Sequence, residues 1–270
     1  MPPVELVFLG TVLAYATACA LFFAHLGVRG GLPRVARFAP LVLAVAVPLH
    51  AAYIGLASIV AHVCPVESLH FVASASSLGA AALYLVLRRR FAIDALGAFV
   101  APAALTAVLG SRFVGVPVHR AGGGLLALHI TANVLGDAMF LLAAGAAALY
   151  LVQEKQLKKK RARGLLGRLP ALDALDRAGH RLLLAGFPLL TLGIITGSVW
   201  SQKVESGSAA DVARGLFAYA TWLLFAAVLV LRAVAGWRGR RAAYGTLAGF
   251  AFAVAVLVVY LARAAMTRLS

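Results

Sequence analysis

Apolar stretches long enough to cross a bilayer recur along the whole 270-residue chain, separated by short polar segments. A spanning helix needs about 20 mostly apolar residues, because the hydrocarbon layer is about 30 Å thick and a helix rises about 1.5 Å per residue. Eight runs meet that requirement: 5–28, 40–61, 69–87, 91–109, 124–152, 182–200, 216–234 and 242–262. The pattern predicts an all-α polytopic membrane protein, a bundle of about eight transmembrane helices forming a single membrane domain over 1–270. The fourth run carries Asp94 and Pro102, but Asp94 lies near its end beside Arg88, Arg89 and Arg90, where it can pair or reach the headgroups. The first run begins at Glu5 with no basic segment before it and is long enough to span, so it reads as a retained helix and not as a cleaved signal.

Composition agrees. Hydrophobic residues make up 63% of the chain and charged residues 13%, against about 45–50% and about 25% in a soluble domain. The formal net charge is +16, and its placement shows what it is for. Taken by alternate loops, 19 of the 25 Lys and Arg fall on one side of the eight-helix layout and 6 on the other. The positive-inside rule puts the richer side in the cytoplasm and both termini outside, as expected of a multi-pass inner or plasma membrane protein. Cations confined to short inter-helix segments do not form the folded basic face of a nucleic-acid binder, so no nucleic acid is expected. The two cysteines, Cys19 and Cys64, form no Cys-x-x-Cys motif, which excludes thioredoxin-like chemistry and a covalent haem-attachment motif.

The longest polar segment, 153–181, is read as a cytoplasmic loop. Its Lys158, Lys159, Lys160 and Arg161 are candidates for docking a partner or anionic lipid. Leucines at 169, 172 and 175 with intervening acids suggest a short interfacial helix there, the alternative being a solvated basic linker.

Histidine is the residue type to weigh, since an imidazole in lipid is usually turned toward a partner, a cavity or a cofactor. His62, His70, His119 and His129 fall near the outer face, His50 in the middle of the second run, and His25 and His180 at cytoplasmic ends. His129 opens the fifth run, and Asn133 and Asp137 follow at steps of four, making a polar stripe that leads inward along one helical side. A functional site and an interhelical hydrogen-bond network both fit that stripe. His50 follows Pro48, which leaves a carbonyl of the preceding turn without its amide donor. It reads either as an interhelical hydrogen-bonder or, with His129, as an axial ligand of haem iron. His62 and His70 flank Cys64 and Glu67 with irregular spacing, a weak metal signal, and no metal site is assigned. No Ser-His-Asp set, phosphate loop or HExxH motif occurs, so no catalytic residues are assigned and no enzyme is expected.

Three segments carry a resemblance: Leu149-Tyr150-Leu151-Val152-Gln153-Glu154-Lys155-Gln156-Leu157-Lys158, the run Gly186-Phe187-Pro188 through Gly197-Ser198-Val199-Trp200, and Gly236-Trp237-Arg238-Gly239-Arg240-Arg241-Ala242-Ala243-Tyr244. In that order and spacing the chain resembles the cytochrome c assembly protein family of CcsA, CcmC and HemX-like membrane proteins, most closely from about His129 to Phe250. The resemblance implies a protein that binds or passes haem non-covalently during cytochrome c maturation. It places His129 where such proteins carry the first outer-side histidine. It departs in two places: residues 201–214 contain no tryptophan-rich WWD segment, and no second outer histidine follows the last helix. Of the features a porphyrin needs there, Lys203, Arg214, Arg112 and Arg120 supply only cations.

The resemblance leaves two main readings. One is a haem-handling protein with His129 and His50 as ligands. The other is a HemX-like scaffold or regulator without haem, docking a haem-synthesis or cytochrome-assembly protein through the basic loop. A transporter with a path along His129, Asn133 and Asp137 has less support, because paired repeats and broken helices are not evident.

Overall fold

A computed structural model describes residues 2–27, 33–62, 69–89, 93–113, 124–158, 170–201 and 209–269. Those residues fold into eight α-helices: α1 (Pro3–Gly27), α2 (Pro33–Ala61), α3 (Leu69–Leu87), α4 (Gly97–Phe113), α5 (Gly124–Lys158), α6 (Leu172–Ser201), α7 (Ala209–Ala235) and α8 (Arg240–Leu269). Seven are long and apolar enough to cross a membrane, and α3 is a shorter apolar helix of 19 residues, about 28 Å at the α-helical rise. A 3₁₀ turn at Asp94–Leu96 leads into α4. There Arg88 binds Asp94 at 2.8 Å, so the acid of the fourth run is neutralised at the end of its helix. The chain is a multi-pass membrane protein of the all-α class.

Burial is inverted relative to a soluble domain. Large apolar side chains such as Leu13, Ile59 and Leu223 are more than 60% exposed, which is tolerable only where lipid replaces water. The interior holds Tyr15, Leu43, Tyr84, Leu96 and Phe140, together with many alanines. Small residues suit this position, because helices in lipid gain little from apolar burial and associate through close van der Waals contact.

The helices pair chiefly in sequence order, α1 with α2, α3 with α4, α5 with α6, and α7 with α8. Helix α5 is the centre of the assembly, lying against α6, α3 and α8. One hydrophobic cluster joins α1–α4 to α5 and the start of α6, and a second, built on Phe140, Leu183, Leu190, Phe225 and Val228, joins α5, α6 and α7.

The basic segment is shorter than its polarity predicts. Helix α5 continues to Lys158 and α6 begins at Leu172, so 153–158 and 172–181 are helical and only 159–171 separates the two helices. Backbone hydrogen bonding does not stop at the membrane surface, and the helix extensions carry their own i,i+4 ion pairs, Glu154–Lys158 and Asp173–Arg177. Leu172 and Leu175 accordingly belong to the first turns of α6, with Leu175 buried, and not to a separate interfacial helix.

At the same end, Asp176 of α6 accepts two hydrogen bonds from Arg232 of α7, at 3.0 and 2.7 Å, and one from the Gly239 amide at 2.8 Å. The α7–α8 turn that presents this amide has Gly236 and Gly239 at φ 65° and 62°, the left-handed region that glycine enters without strain. A Cβ on Gly239 would lie 2.5 Å from the Tyr150 hydroxyl, so α5 also closes on the turn. Both charged side chains are about 90% shielded. Removing one partner of such a buried pair leaves a desolvated charge, so Asp176→Ala is expected to cost about 3 kcal/mol. Arg177→Ala, in the exposed pair with Asp173, is expected to cost less than about 1 kcal/mol. Thermal unfolding of both variants in mild detergent checks the contrast, and equal losses would refute the latch.

Candidate functional site

The predicted polar stripe lies on α5 where it faces α6. The fit is made by glycine. Along α6, Gly179, Gly186 and Gly193 recur every seven residues, with Gly197 one turn beyond, and each meets an α5 residue. A Cβ on Gly186 would lie 2.7 Å from the Phe140 ring and one on Gly197 2.8 Å from His129 Cε1, while one on Gly193 would collide with the Asn133 amide. The imidazole and the amide therefore occupy the space that the missing side chains leave.

His129 is held from α6. Its Nδ1 lies 2.9 Å from the Gly193 carbonyl and 3.2 Å from the Thr196 hydroxyl. A carbonyl can only accept, so Nδ1 carries the proton and Nε2 keeps the lone pair of the neutral ring. The Asn133 Nδ2 donates to the His129 carbonyl at 2.8 Å and lies 3.3 Å from both ring nitrogens, so Nε2 has only that long contact. Thr196 is itself fixed by donating to the Leu192 carbonyl at 2.6 Å. The result is a half-buried imidazole with a defined tautomer whose basic nitrogen is met only by the long 3.3 Å contact from Asn133, the arrangement in which a neighbouring carbonyl orients a metal-binding histidine. Asp137, one turn beyond Asn133 and two beyond His129, is exposed.

His50 sits elsewhere and is satisfied. It is fully buried between α1 and α3, with Nδ1 3.0 Å from the Tyr15 hydroxyl and Nε2 2.7 Å from the Ser74 hydroxyl. Tyr15 also meets the imidazole edge-on. In this arrangement neither ring nitrogen is open, and His50 and His129 belong to separate hydrogen-bond sets. Among the other histidines, His62 ends α2 in an exposed position with φ 51°. His180 lines a small cleft with Asp176, Arg232 and Tyr150 at the basic end. Cys64, Glu67 and His119 fall outside the described residues, as does the His70 side chain. No cluster of three metal-ligating side chains occurs among the described residues.

Of the expected docking cations, Lys158 is exposed and paired with Glu154 at 2.6 Å, while Lys159, Lys160 and Arg161 fall outside the described residues. Of the cations expected on the outer side, Arg214 pairs with Asp211 in the first turns of α7, and Lys203 and Arg120 also fall outside the described residues.

The structure adds a feature that sequence reading missed. On the side of α6 away from the stripe, Trp222 donates to the Thr191 hydroxyl at 3.0 Å and stacks at 5.4 Å on Phe187, while the Tyr219 and Ser198 hydroxyls meet at 3.0 Å. Tryptophan, absent from residues 201–214, is thus present within the apolar helices themselves. The available signal was the seven-residue spacing of Thr191 and Ser198 opposite Tyr219 and Trp222.

Residues 64–266 match the family described as cytochrome c assembly protein. Among curated relatives, the cytochrome c biogenesis protein CcsA of Gloeothece citriformis is 42% identical over 96 residues, which is 36% of this chain and 28% of that protein. The protein of the same name from Crocosphaera subtropica is 42% identical over 94 residues, 35% of this chain and 27% of its own. That from Synechocystis sp. is 41% identical over 83 residues, 31% and 25% respectively. These matches span little more than a quarter of each relative's length.

The seam makes a prediction that needs no ligand. Gly193→Ala is expected to push the Asn133 amide away, weaken the α5–α6 contact and cost about 1–3 kcal/mol, the usual range for overpacking. Gly55→Ala, where a Cβ meets nothing, is the control and is expected to be neutral or slightly stabilising. Thermal midpoints in detergent compare the two.

Proposed function

The chain belongs to the cytochrome c assembly protein family, and from that premise we propose that it handles haem in the membrane during cytochrome c maturation, binding it non-covalently through His129. One observation carries the assignment of the residue: the Nδ1 proton of His129 is committed to the Gly193 carbonyl, which leaves Nε2 as a base. When bound, haem supplies an iron centre that accepts an imidazole lone pair. Everything else is done by the chain. Gly193 and Thr196 fix the ring's tautomer and rotation, Asn133 fixes its rim, and the glycines of α6 make the space.

Binding of this kind calls for ligands and shielding, not for an acid-base set, and the role is that of a carrier and not a catalyst. His50 is read as structural, because Tyr15 and Ser74 engage both of its nitrogens. The bilayer is the solvent of the described helices, the inner or plasma membrane their location, and other cytochrome c assembly components are the expected partners. The basic residues Lys158, Lys159, Lys160 and Arg161 remain the docking surface for such a partner in the scaffold reading.

The experiment is a visible spectrum, oxidised and reduced, of protein purified in mild detergent from cells supplied with a haem precursor. A Soret band is expected in the parent and in His50→Ala, and is expected to be lost in His129→Ala and restored to His129→Gly by added imidazole. His50→Ala is expected instead to lower the thermal midpoint, since the hydroxyls of Tyr15 and Ser74 lose a buried partner worth about 1–3 kcal/mol. A colourless, folded parent that shows no spectral change on titration with haem would sink the carrier reading. It would favour a scaffold, whose partner recovery should then depend on the lysines and arginine at 158–161.

A further inference from the structure

Asp137 stands apart from the rest of the stripe. His129 and Asn133 are tied to α6 or to their own backbone, whereas Asp137 forms no hydrogen bond or ion pair among the described residues. It lies nine residues inside the start of the Leu128–Lys158 span, about 14 Å along the helix axis from that end. It is nevertheless exposed. The lipid-type residues of this part of α5, Leu128 and Leu135, are exposed on the opposite flank, about 160–180° around the helix from Asp137 at 3.6 residues per turn. Asp137 therefore opens on a different side from the apolar flank, and it is the side that His129 and Asn133 lead to.

An unpaired carboxylate at that depth is unfavourable unless something positive or hydrogen-bonding meets it. We infer that Asp137 is the counter-charge of the His129 site, so that the site holds ferric haem in preference to ferrous. The inference rests on the haem reading above. Ferric iron in the porphyrin dianion leaves one net positive charge at the core, and the ferrous form leaves none. The eight-residue step from His129 to Asp137 corresponds to about 12 Å along the axis. At that separation and an effective dielectric of about 20, one unit charge acting on another gives about a tenfold preference. Reduction then places one electron, from an external one-electron donor, on the iron and removes the charge that Asp137 faces. Asp137 touches neither the iron nor His129 in this scheme and is a positioning residue for charge.

The test is a spectroelectrochemical titration of the haem-loaded parent, Asp137→Asn, Asp137→Ser and Asp137→Glu. The two neutral variants are expected to keep the Soret band and to lose about tenfold of the ferric preference. For a one-electron couple this raises the midpoint potential by about 59 mV. Asp137→Glu is expected to stay close to the parent. An unchanged potential in both neutral variants with an intact Soret band overturns the inference while leaving the haem reading standing, and absence of a Soret band from the parent overturns both. A second readout needs no haem: Asp137→Asn is expected to raise the thermal midpoint of ligand-free protein by removing an unpaired charge. A lowered midpoint means that the carboxyl has a partner within the protein, and an unchanged midpoint means that it carries no charge to relieve; either overturns the counter-charge role.

Discussion

The close approach of α5 and α6 is the constraint on which the rest of the molecule depends. In water, two helices are driven together by the apolar area they remove from solvent, and imperfect fit is tolerated. In lipid that drive is absent, and contact distance decides whether helices associate. Glycines at 179, 186, 193 and 197 give α6 a smooth side, against which Ala143, Phe140, Asn133 and His129 of α5 can lie. Because α5 also carries the contacts to α3 and α8, the same seam sets the relation between the first four helices and the last three. The His129 site is thus built into the joint that holds the bundle and is as rigid as that joint.

Polar groups inside the span follow one rule, which the two histidines obey in different ways. Thr11, Thr17, Thr191, Thr221 and Thr246 each return their hydroxyl proton to the carbonyl four residues earlier, so as donors they need no acceptor from a neighbouring helix. His50 cannot do this and is satisfied by hydroxyls from α1 and α3, which makes it a cross-tie among the first helices. His129 is held closely at Nδ1, while its Nε2 has only the 3.3 Å contact from Asn133. The latch at the basic end applies the same rule to charge: Asp176 is matched by Arg232 and a backbone amide, and the glycine turn before α8 exists to present that amide.

Much of this architecture was legible in the chain because bilayer thickness sets a length that can be counted. The runs between 5 and 262 locate eight helices, and the pairing of Asp94 with Arg88 follows from their placement at a helix end. The helix ends were less legible, since hydropathy marks where lipid stops and not where hydrogen bonding stops, which is why 153–158 and 172–181 read as loop. Steps of four brought His129, Asn133 and Asp137 to one side of α5, but nothing in those steps says which nitrogen of His129 is occupied. That depends on Gly193, 64 residues away. The partners of His50 are 35 and 24 residues distant, and Pro48, the local cue, plays no part in its hydrogen bonding. The heptad of glycines on α6 was visible in the sequence, and its meaning required knowing which helix it faces.

The departure from the family in the outer loop bears on where a haem site can be. A tryptophan-rich loop offers a porphyrin a surface outside the membrane, and residues 201–214 lack tryptophan altogether. What this chain retains lies deeper: an oriented imidazole on α5, glycines that give it room, and a carboxylate a further two turns inward on the same side. An apolar macrocycle partitions into lipid-facing space without an aromatic platform, so loss of the loop removes an outer surface without removing the requirement that the iron meet a ligand. If the site has moved inward, its electrostatics must change as well. Water and loop cations no longer balance the charge of the iron, and an unpaired carboxylate on the helix that carries the imidazole becomes the natural group to do so. The same bundle is then compatible with the proposed haem-handling role without the outer tryptophan-rich loop, because the seam that packs the helices also orients the imidazole proposed as the ligand.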